Sequence, residues 1–251
     1  MLTFEQIRYY QTNGYLIIPD FYSPQEMKSR SNQLLNELPT DKKTLADTDY
    51  LLASAEGVGY FFEDDLSTIN KIGHGLHLVD PVFAKYTFMD QVTQVCSSFN
   101  FVKPQVLQSM LIPKLAGNLS PVNPHRDHTF LYTNPAKTIG FWIALDDATW
   151  ANGCLEFVPG SHKDPNVTKR WIRADNSFKY VGSDPYSYSE EQFVPAEVKA
   201  GSLILIDGDV VHKSAGNGSC ESRNAYTFHV IERFGTEFPK ENWLHSEQGY
   251  F

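Results

Sequence analysis

Residues 203–212 read Leu203-Ile-Leu-Ile-Asp-Gly-Asp-Val-Val-His212, which is an apolar run, a turn-forming Asp-Gly-Asp and a second apolar run that ends in a histidine. Short runs rich in Val, Ile and Leu and bounded by turn residues are typical of β-strands. The same texture recurs from about residue 101 onward. It predicts strands near 104–112, 125–132, 138–146, 154–158, 194–199, 202–206, 209–212 and 223–232.

The order of these elements predicts the fold class. Eight short strands after a helical prelude favour a mainly β fold with helices (α+β), a double-sheet jelly roll, over an alternating βαβ fold. The prelude is predicted to contain a capped helix from Thr3 to Gly14, a strand over 15–21, a helix over 27–38 with its N-cap at Ser23, a loop with short helical pieces over 40–68, and a helix from Asp80 to about Phe99.

A single domain is expected over residues 1–251. Its helical part covers 1–100 and is expected to pack on one sheet of the jelly-roll core, which covers 101–251. An insertion at 163–192 interrupts the strands, and a structureless segment of that length is usually a functional lid or disordered. We therefore expect this segment to be lid-like.

Composition excludes several classes of protein. The 251 residues include 21 Lys+Arg against 30 Asp+Glu, a net charge of −9 that disfavours a nucleic-acid partner. Three scattered cysteines form no CxxC pair and suggest neither a disulfide framework nor a thiolate metal site. Because the sequence shows neither a long apolar run nor a signal-peptide pattern, we expect a cytoplasmic protein without a membrane partner.

The tripeptide His125-Arg-Asp127 is the most informative motif, together with His212. On a strand, residues i and i+2 point to the same face, so His125 and Asp127 would project toward one point. A neighbouring strand could deliver His212 there. Two imidazoles and one carboxylate on one side of a cation form the facial arrangement of non-haem Fe(II) oxygenases.

Other interpretations of these residues are possible. A His-x-Asp tripeptide often occurs by chance, and most matches to so short a motif carry no chemistry. The catalytic loop of protein kinases also begins His-Arg-Asp, but it needs an Asn where this chain has Tyr132. Arg223 could bind a carboxylate through its planar fork or form an exposed ion pair at a strand end.

Ordered motifs along nearly the whole chain give it a resemblance to the phytanoyl-CoA dioxygenase family, and within it to the phytanoyl-CoA dioxygenase domain-containing proteins. The motifs are Ile69-Asn-Lys-Ile-Gly-His74, Gln108-Ser-Met110, His125-Arg-Asp127, Phe130-Leu-Tyr-Thr133, Trp142-Ile-Ala-Leu-Asp-Asp-Ala148, Asn152-Gly-Cys-Leu155, Val158-Pro-Gly-Ser-His162, Val211-His-Lys-Ser214, Ser222-Arg223 and Ala225-Tyr-Thr-Phe-His229.

The resemblance implies a double-stranded β-helix, which is a cupin-like jelly roll, and an Fe(II) ion held by His125, Asp127 and His212. It also implies contacts to 2-oxoglutarate from the positions listed next, of which the last binds the distal carboxylate. These positions are Lys71, Met110, Trp142 and Arg223.

The chain departs from the family pattern beside its metal motif. Arg126 stands where the family usually has Gln, and His128 replaces a small residue. Strand alternation points both away from the iron, so we expect changed contacts around the site and unchanged ligation. His229 lies about 20 Å along an extended strand from Arg223, which predicts that it is not at the metal.

The resemblance implies an Fe(II)- and 2-oxoglutarate-dependent dioxygenase that hydroxylates a small organic substrate and converts 2-oxoglutarate and O₂ to succinate and CO₂. Ascorbate would help to keep the iron reduced. Related halogenases replace the carboxylate ligand by a small residue, so Asp127 favours hydroxylation. A non-catalytic metal and 2-oxoglutarate sensor, or a metal-dependent hydrolase on a cupin-like barrel, are the alternatives. The sequence identifies neither the substrate nor the oligomeric state.

Overall fold

The computed structural model describes residues 1–38, 58–62, 68–175, 177–246 and 248–251. Within these ranges the helices are α1 (Phe4–Asn13), α2 (Gln25–Asn36), α3 (Leu76–Val79), α4 (Pro81–Thr87) and α5 (Asp90–Ser98). The strands are β1 (Tyr15–Ile18), β2 (Val58–Phe62), β3 (Ile69–His74), β4 (Pro104–Lys114), β5 (Val122–His125), β6 (Thr138–Ala144), β7 (Leu155–Phe157), β8 (Arg170–Ala174), β9 (Ser177–Val181), β10 (Val194–Ala196), β11 (Leu203–Asp207), β12 (His212–Ser214) and β13 (Arg223–Glu232).

Two antiparallel sheets form the jelly roll. The main sheet has seven strands in the order β1-β11-β6-β13-β4-β3-β2, and the minor sheet has four in the order β10-β7-β12-β5. Strands β8 and β9 form a separate hairpin. Strands distant in sequence are neighbours in both sheets, as expected for the double-stranded β-helix that the resemblance implies.

The main sheet is buried on both faces, and β6 shows how the sequence divides between them. Phe141 and Ile143 join a hydrophobic core shared with the helices, while Trp142 and Ala144 join the core between the two sheets. This alternation follows the two-residue period of a strand. The expected packing of the N-terminal helices on one sheet is therefore confirmed, and the candidate site lies on the other face.

Two predicted helices differ from those observed. The helix predicted from Asp80 to Phe99 is two helices, because Met89 adopts an extended conformation (φ −72°, ψ 150°) between α4 and α5. The N-cap predicted at Ser23 is also wrong. Pro24 occupies that position without a side-chain cap, and the Ser23 hydroxyl donates to the side chain of Gln25 instead.

The strands predicted over 125–132 and 209–212 are wrong in their bounds. Strand β5 ends at His125 and is followed by a 3₁₀ turn over Asp127–Thr129. β5 begins at Val122, earlier than predicted, because Pro124 argues against a strand in the sequence but is tolerated in an edge strand such as β5. Strand β12 begins only at His212 because the Asp-Gly-Asp turn extends further than predicted. The other predicted strands beyond residue 101 match the observed bounds within three residues.

The segment 163–192 contains the β8–β9 hairpin and so is not structureless. Most of the loop predicted over 40–68 lies outside the described residues, but Val58–Phe62 forms β2 at the edge of the main sheet. In the part of the chain that the structure describes, every helix is too short or too polar to cross a lipid bilayer.

Candidate metal centre and its two cavities

His125, Asp127 and His212 meet where the minor sheet pairs β5 with β12. His125 and His212 are partners in the ladder, and their ring centroids lie 4.3 Å apart. Asp127 Oδ1 lies 3.6 Å from His125 Nε2 and 3.8 Å from His212 Nε2. One donor atom from each residue lies within 4.8 Å of the other two, which suits a single cation.

Both histidines are oriented for metal binding by the backbone. The Nδ1 atoms of His125 and His212 lie 2.8 Å from the Asn123 carbonyl oxygen and 3.1 Å from that of Val210, so each Nδ1–H donates to a carbonyl. This tautomer leaves both Nε2 atoms as acceptors for a metal. Burial and the neighbouring His125 lower the pKa of His212 to about 4, so its imidazole is neutral at pH 7.

Asp127 supplies the carboxylate of the donor set. Burial opposes its ionisation, but His229 and His212 outweigh that effect and hold the pKa of Asp127 below its usual range. Its Oδ2 atom has no hydrogen-bond partner among the described residues. Two neutral imidazoles and an ionised carboxylate fit Fe(II), and no other group of potential metal ligands occurs in the described part of the chain.

His229 lies closer to this centre than predicted. Its Nε2 is 3.1 Å from Asp127 Oδ2, at ion-pair distance but without the alignment of a hydrogen bond. The sequence argument compared backbone positions along β13, whereas the side chains of Arg223 and His229 converge on one cavity. The register between β13 and β6 determines that His229 faces Asp127, and this register cannot be read from a single sequence.

The inner cavity has a volume of about 90 Å³ and is lined by the three candidate ligands and by Met110, Trp142 and Arg223. Arg223 is 1% exposed, its guanidinium carbon lies 5.5 Å from the centre of the Trp142 ring, and its Nε and Nη1 atoms have no partner within the described ranges. Burial lowers the pKa of Arg223 to about 10, so the group stays charged. A buried, unpaired cation requires an anion, and a carboxylate matches its planar fork.

The outer cavity opens from the same centre and has a volume of about 400 Å³. Its walls include Lys71, His74, Gln108, Lys169, Tyr180, Asp184 and Trp243. Of the predicted cofactor residues, Met110 lines both cavities, Trp142 and Arg223 line the inner one, and Lys71 lines the outer one. The Lys71 ammonium lies 5.1 Å from the centre of the Phe61 ring, and burial lowers its pKa.

Arg126 is buried and connects the metal turn to the 163–192 segment. Its guanidinium donates to Asp184 at 2.9 Å, to Asp164 at 3.2 Å, to Tyr188 at 2.7 Å and to the Ser161 carbonyl at 2.7 Å. The expected change in contacts around the ligands is thus a buried network behind the outer cavity. The other departure, His128, contacts Asp209 at 3.0 Å on the far side of the turn.

A double-stranded β-helix with two histidines and one carboxylate at its centre defines the class of 2-oxoglutarate-dependent non-haem iron dioxygenases. The chain belongs to the phytanoyl-CoA dioxygenase (PhyH) family, whose model matches residues 10–225. It is 38% identical to a phytanoyl-CoA dioxygenase of Arabidopsis thaliana, over 97% of this chain and 93% of that protein.

One further relative supports this placement, and one solved structure supports the fold. Phytanoyl-CoA dioxygenase domain-containing protein 1 of Mus musculus is 38% identical, over 95% of this chain and 93% of the relative. EctD from S. alaskensis, solved with 2-oxoglutarate and 5-hydroxyectoine, has a TM-score of 0.71 at 20% identity, over 99% of this chain and 84% of that one. At that identity the structural likeness supports the fold.

Proposed function

We propose that the protein hydroxylates a small organic substrate with Fe(II), O₂ and 2-oxoglutarate, converting the last to succinate and CO₂. The observation that carries this proposal is the buried, unpaired guanidinium of Arg223 in the same cavity as His125, Asp127 and His212. A site for iron and a site for a carboxylate thus adjoin each other, as a bound 2-oxo acid requires.

Each residue has a defined role in this proposal. His125, Asp127 and His212 hold iron through Nε2, Oδ1 and Nε2, and Arg223 binds the distal carboxylate of 2-oxoglutarate. Trp142 and Met110 form apolar walls of the inner cavity, and the Lys71 ammonium adds positive charge on the outer side. When bound, iron and 2-oxoglutarate supply the oxidation chemistry, and the protein supplies orientation and a dry cavity.

The outer cavity is the proposed site of the substrate. Three buried side chains on its wall carry polar atoms without a hydrogen-bond partner in the described ranges, namely His74 Nδ1, Gln108 Oε1 and Trp243 Nε1. Unpaired buried polar groups are costly, so a ligand with polar groups of its own suits this wall better than a bare hydrocarbon chain. These unpaired polar atoms favour a small polar substrate.

Succinate formation tests the proposal. Purified protein is supplied with Fe(II), ascorbate, 2-oxoglutarate and O₂, and succinate is measured without added substrate, because slow uncoupled turnover suffices. We expect succinate from the wild type and from His245→Ala, a control at an exposed histidine, and none from Asp127→Ala. Binding of 2-oxoglutarate without any succinate would support the sensor alternative, and equal turnover by Asp127→Ala would refute the assigned ligands.

A further inference from the structure

His229 lies between the carboxylate of Asp127 and the side chain of Gln108. Its Nε2 is 3.1 Å from Asp127 Oδ2, and its Nδ1 is 3.2 Å from Gln108 Nε2. Both His229 and Gln108 are more than nine-tenths buried. The three side chains therefore form a continuous polar chain that begins at a candidate iron ligand.

The main sheet fixes this chain in place. His229 on β13 is paired with Gln108 on β4 and with Gly140 on β6. A Cβ atom at Gly140 would lie 3.2 Å from Ile206 Cβ, 3.3 Å from Asp127 Oδ2 and 3.4 Å from His229 Cδ2, closer than most such contacts. The glycine thus leaves the space in which the imidazole and the carboxylate meet.

The hydrogen bond to Gln108 determines which nitrogen of His229 carries the proton. The Gln108 amide donates to Nδ1, so the proton of a neutral imidazole lies on Nε2, the atom that faces Asp127. His229 thus contacts Oδ2, while Oδ1 is the oxygen that faces His125 and His212. Partners of this kind orient metal ligands, and their loss typically weakens metal binding by about 10–100-fold.

We infer that His229, held by Gln108, is a positioning residue that orients the Asp127 carboxylate for iron, an inference that rests on the proposed metal site. The chain also reaches the substrate side. Gln108 lines the outer cavity, and its Oε1 atom has no hydrogen-bond partner among the described residues. A substrate that donates to this oxygen is connected to the iron ligand through two side-chain contacts.

Co(II) titrations of the purified protein test the inference, with affinity and visible absorption as readouts. His229→Ala should bind Co(II) about 10–100-fold more weakly than wild type, with an altered spectrum. His229→Gln, whose amide nitrogen can take the place of Nε2 beside Oδ2, should recover most of the affinity. His245→Ala is the matched control and should bind as wild type does. Co(II) affinity and spectrum of His229→Ala equal to those of wild type would overturn the inference.

A second variant keeps the test decisive if His229→Ala does not fold. Gly140→Ala retains every polar group but crowds Asp127 and His229, so it should change the Co(II) spectrum. An unchanged spectrum would overturn the inference.

Asp127→Ala separates this inference from the proposed function. If Asp127→Ala loses Co(II) while His229→Ala and Gly140→Ala match wild type, only the inference fails. If Asp127→Ala also binds as wild type does, the proposed metal site fails with it.

Discussion

The inner and outer cavities share the metal centre but are built differently. Apart from Asp127, every residue that lines the inner cavity lies on a strand of one of the two sheets. The outer cavity takes part of its wall from outside those sheets, including Lys169, Tyr180 and Asp184 of the 163–192 segment and Trp243 near the C-terminus. Rigid strands position a group precisely, whereas connecting segments carry variable function. This division matches the proposed placement of 2-oxoglutarate in the inner cavity and of the substrate in the outer cavity.

Replacement of Arg223 should have the largest effect on 2-oxoglutarate binding, and this effect should arise in the inner cavity alone. Arg223→Leu removes the partner of a buried carboxylate, so the 2-oxoglutarate concentration for half-maximal turnover should rise by roughly 30-fold or more, equivalent to about 2 kcal/mol. Arg223→Lys keeps the charge but loses the planar fork, so its half-saturation should lie between those of wild type and Arg223→Leu. Steady-state kinetics measure these values, and unchanged half-saturation would remove Arg223 from the anchoring role.

Arg223→Leu should stabilise the ligand-free protein, although it weakens 2-oxoglutarate binding. Arg223→Leu replaces a buried, unpaired cation by an apolar group, so the free energy of unfolding of ligand-free protein should rise by about 1–2 kcal/mol. Added 2-oxoglutarate should stabilise the wild type to unfolding and leave the variant unchanged. Thermal unfolding with and without 2-oxoglutarate measures both effects. A variant stabilised by 2-oxoglutarate as much as wild type would contradict a shared inner site.

Replacement of Arg126 should instead affect the outer wall. Arg126→Gln, which restores the residue usual in the family, removes charged hydrogen bonds to Asp164 and Asp184 and should lower the free energy of unfolding by about 2 kcal/mol. Hydrogen exchange should accelerate in the 163–192 segment, while half-saturation by 2-oxoglutarate stays within about threefold, a change worth less than 1 kcal/mol. Equal protection of this segment in both proteins would show that Arg126 does not hold the outer wall.

Replacement of Lys71 should weaken 2-oxoglutarate binding much less than replacement of Arg223 does. Lys71 lines the outer cavity and acts on the inner one at a distance, so Lys71→Met should raise half-saturation by about fivefold, equivalent to about 1 kcal/mol. Kinetics with Arg223→Leu as the comparison measure the difference. If Lys71→Met equals Arg223→Leu, the two cavities act as one site and the division between them is wrong.

Local patterns predicted much of this molecule. The capping box at Thr3 and the left-handed Gly14 bound α1 as expected, since capping depends on a few adjacent residues. The proximity of His125 and Asp127 follows from spacing, because Arg126 between them is extended although the strand has ended. Residues brought together by pairing between distant strands were harder to predict. His229 reaches Asp127 only because β13 pairs with β6 at a glycine.

The features that the sequence did not predict also arise from contacts between residues distant in the chain. Helix propensity gave no signal for the break at Met89, which separates α4 from α5 as they cover the main sheet. Strand alternation correctly turned Arg126 away from the iron, but the sequence did not show that carboxylates of the 163–192 segment would surround it. Tertiary contacts of this kind override or complete local preference.

Anaerobic titration with Fe(II) and 2-oxoglutarate tests the central claim most directly, because a 2-oxo acid chelated to Fe(II) produces a visible charge-transfer absorption. The account predicts that wild-type protein develops this band only when both components are present, and that His212→Ala, which lacks one metal ligand, develops none. A wild type without the band at saturating concentrations of both, or a His212→Ala variant with the same band, would contradict the account.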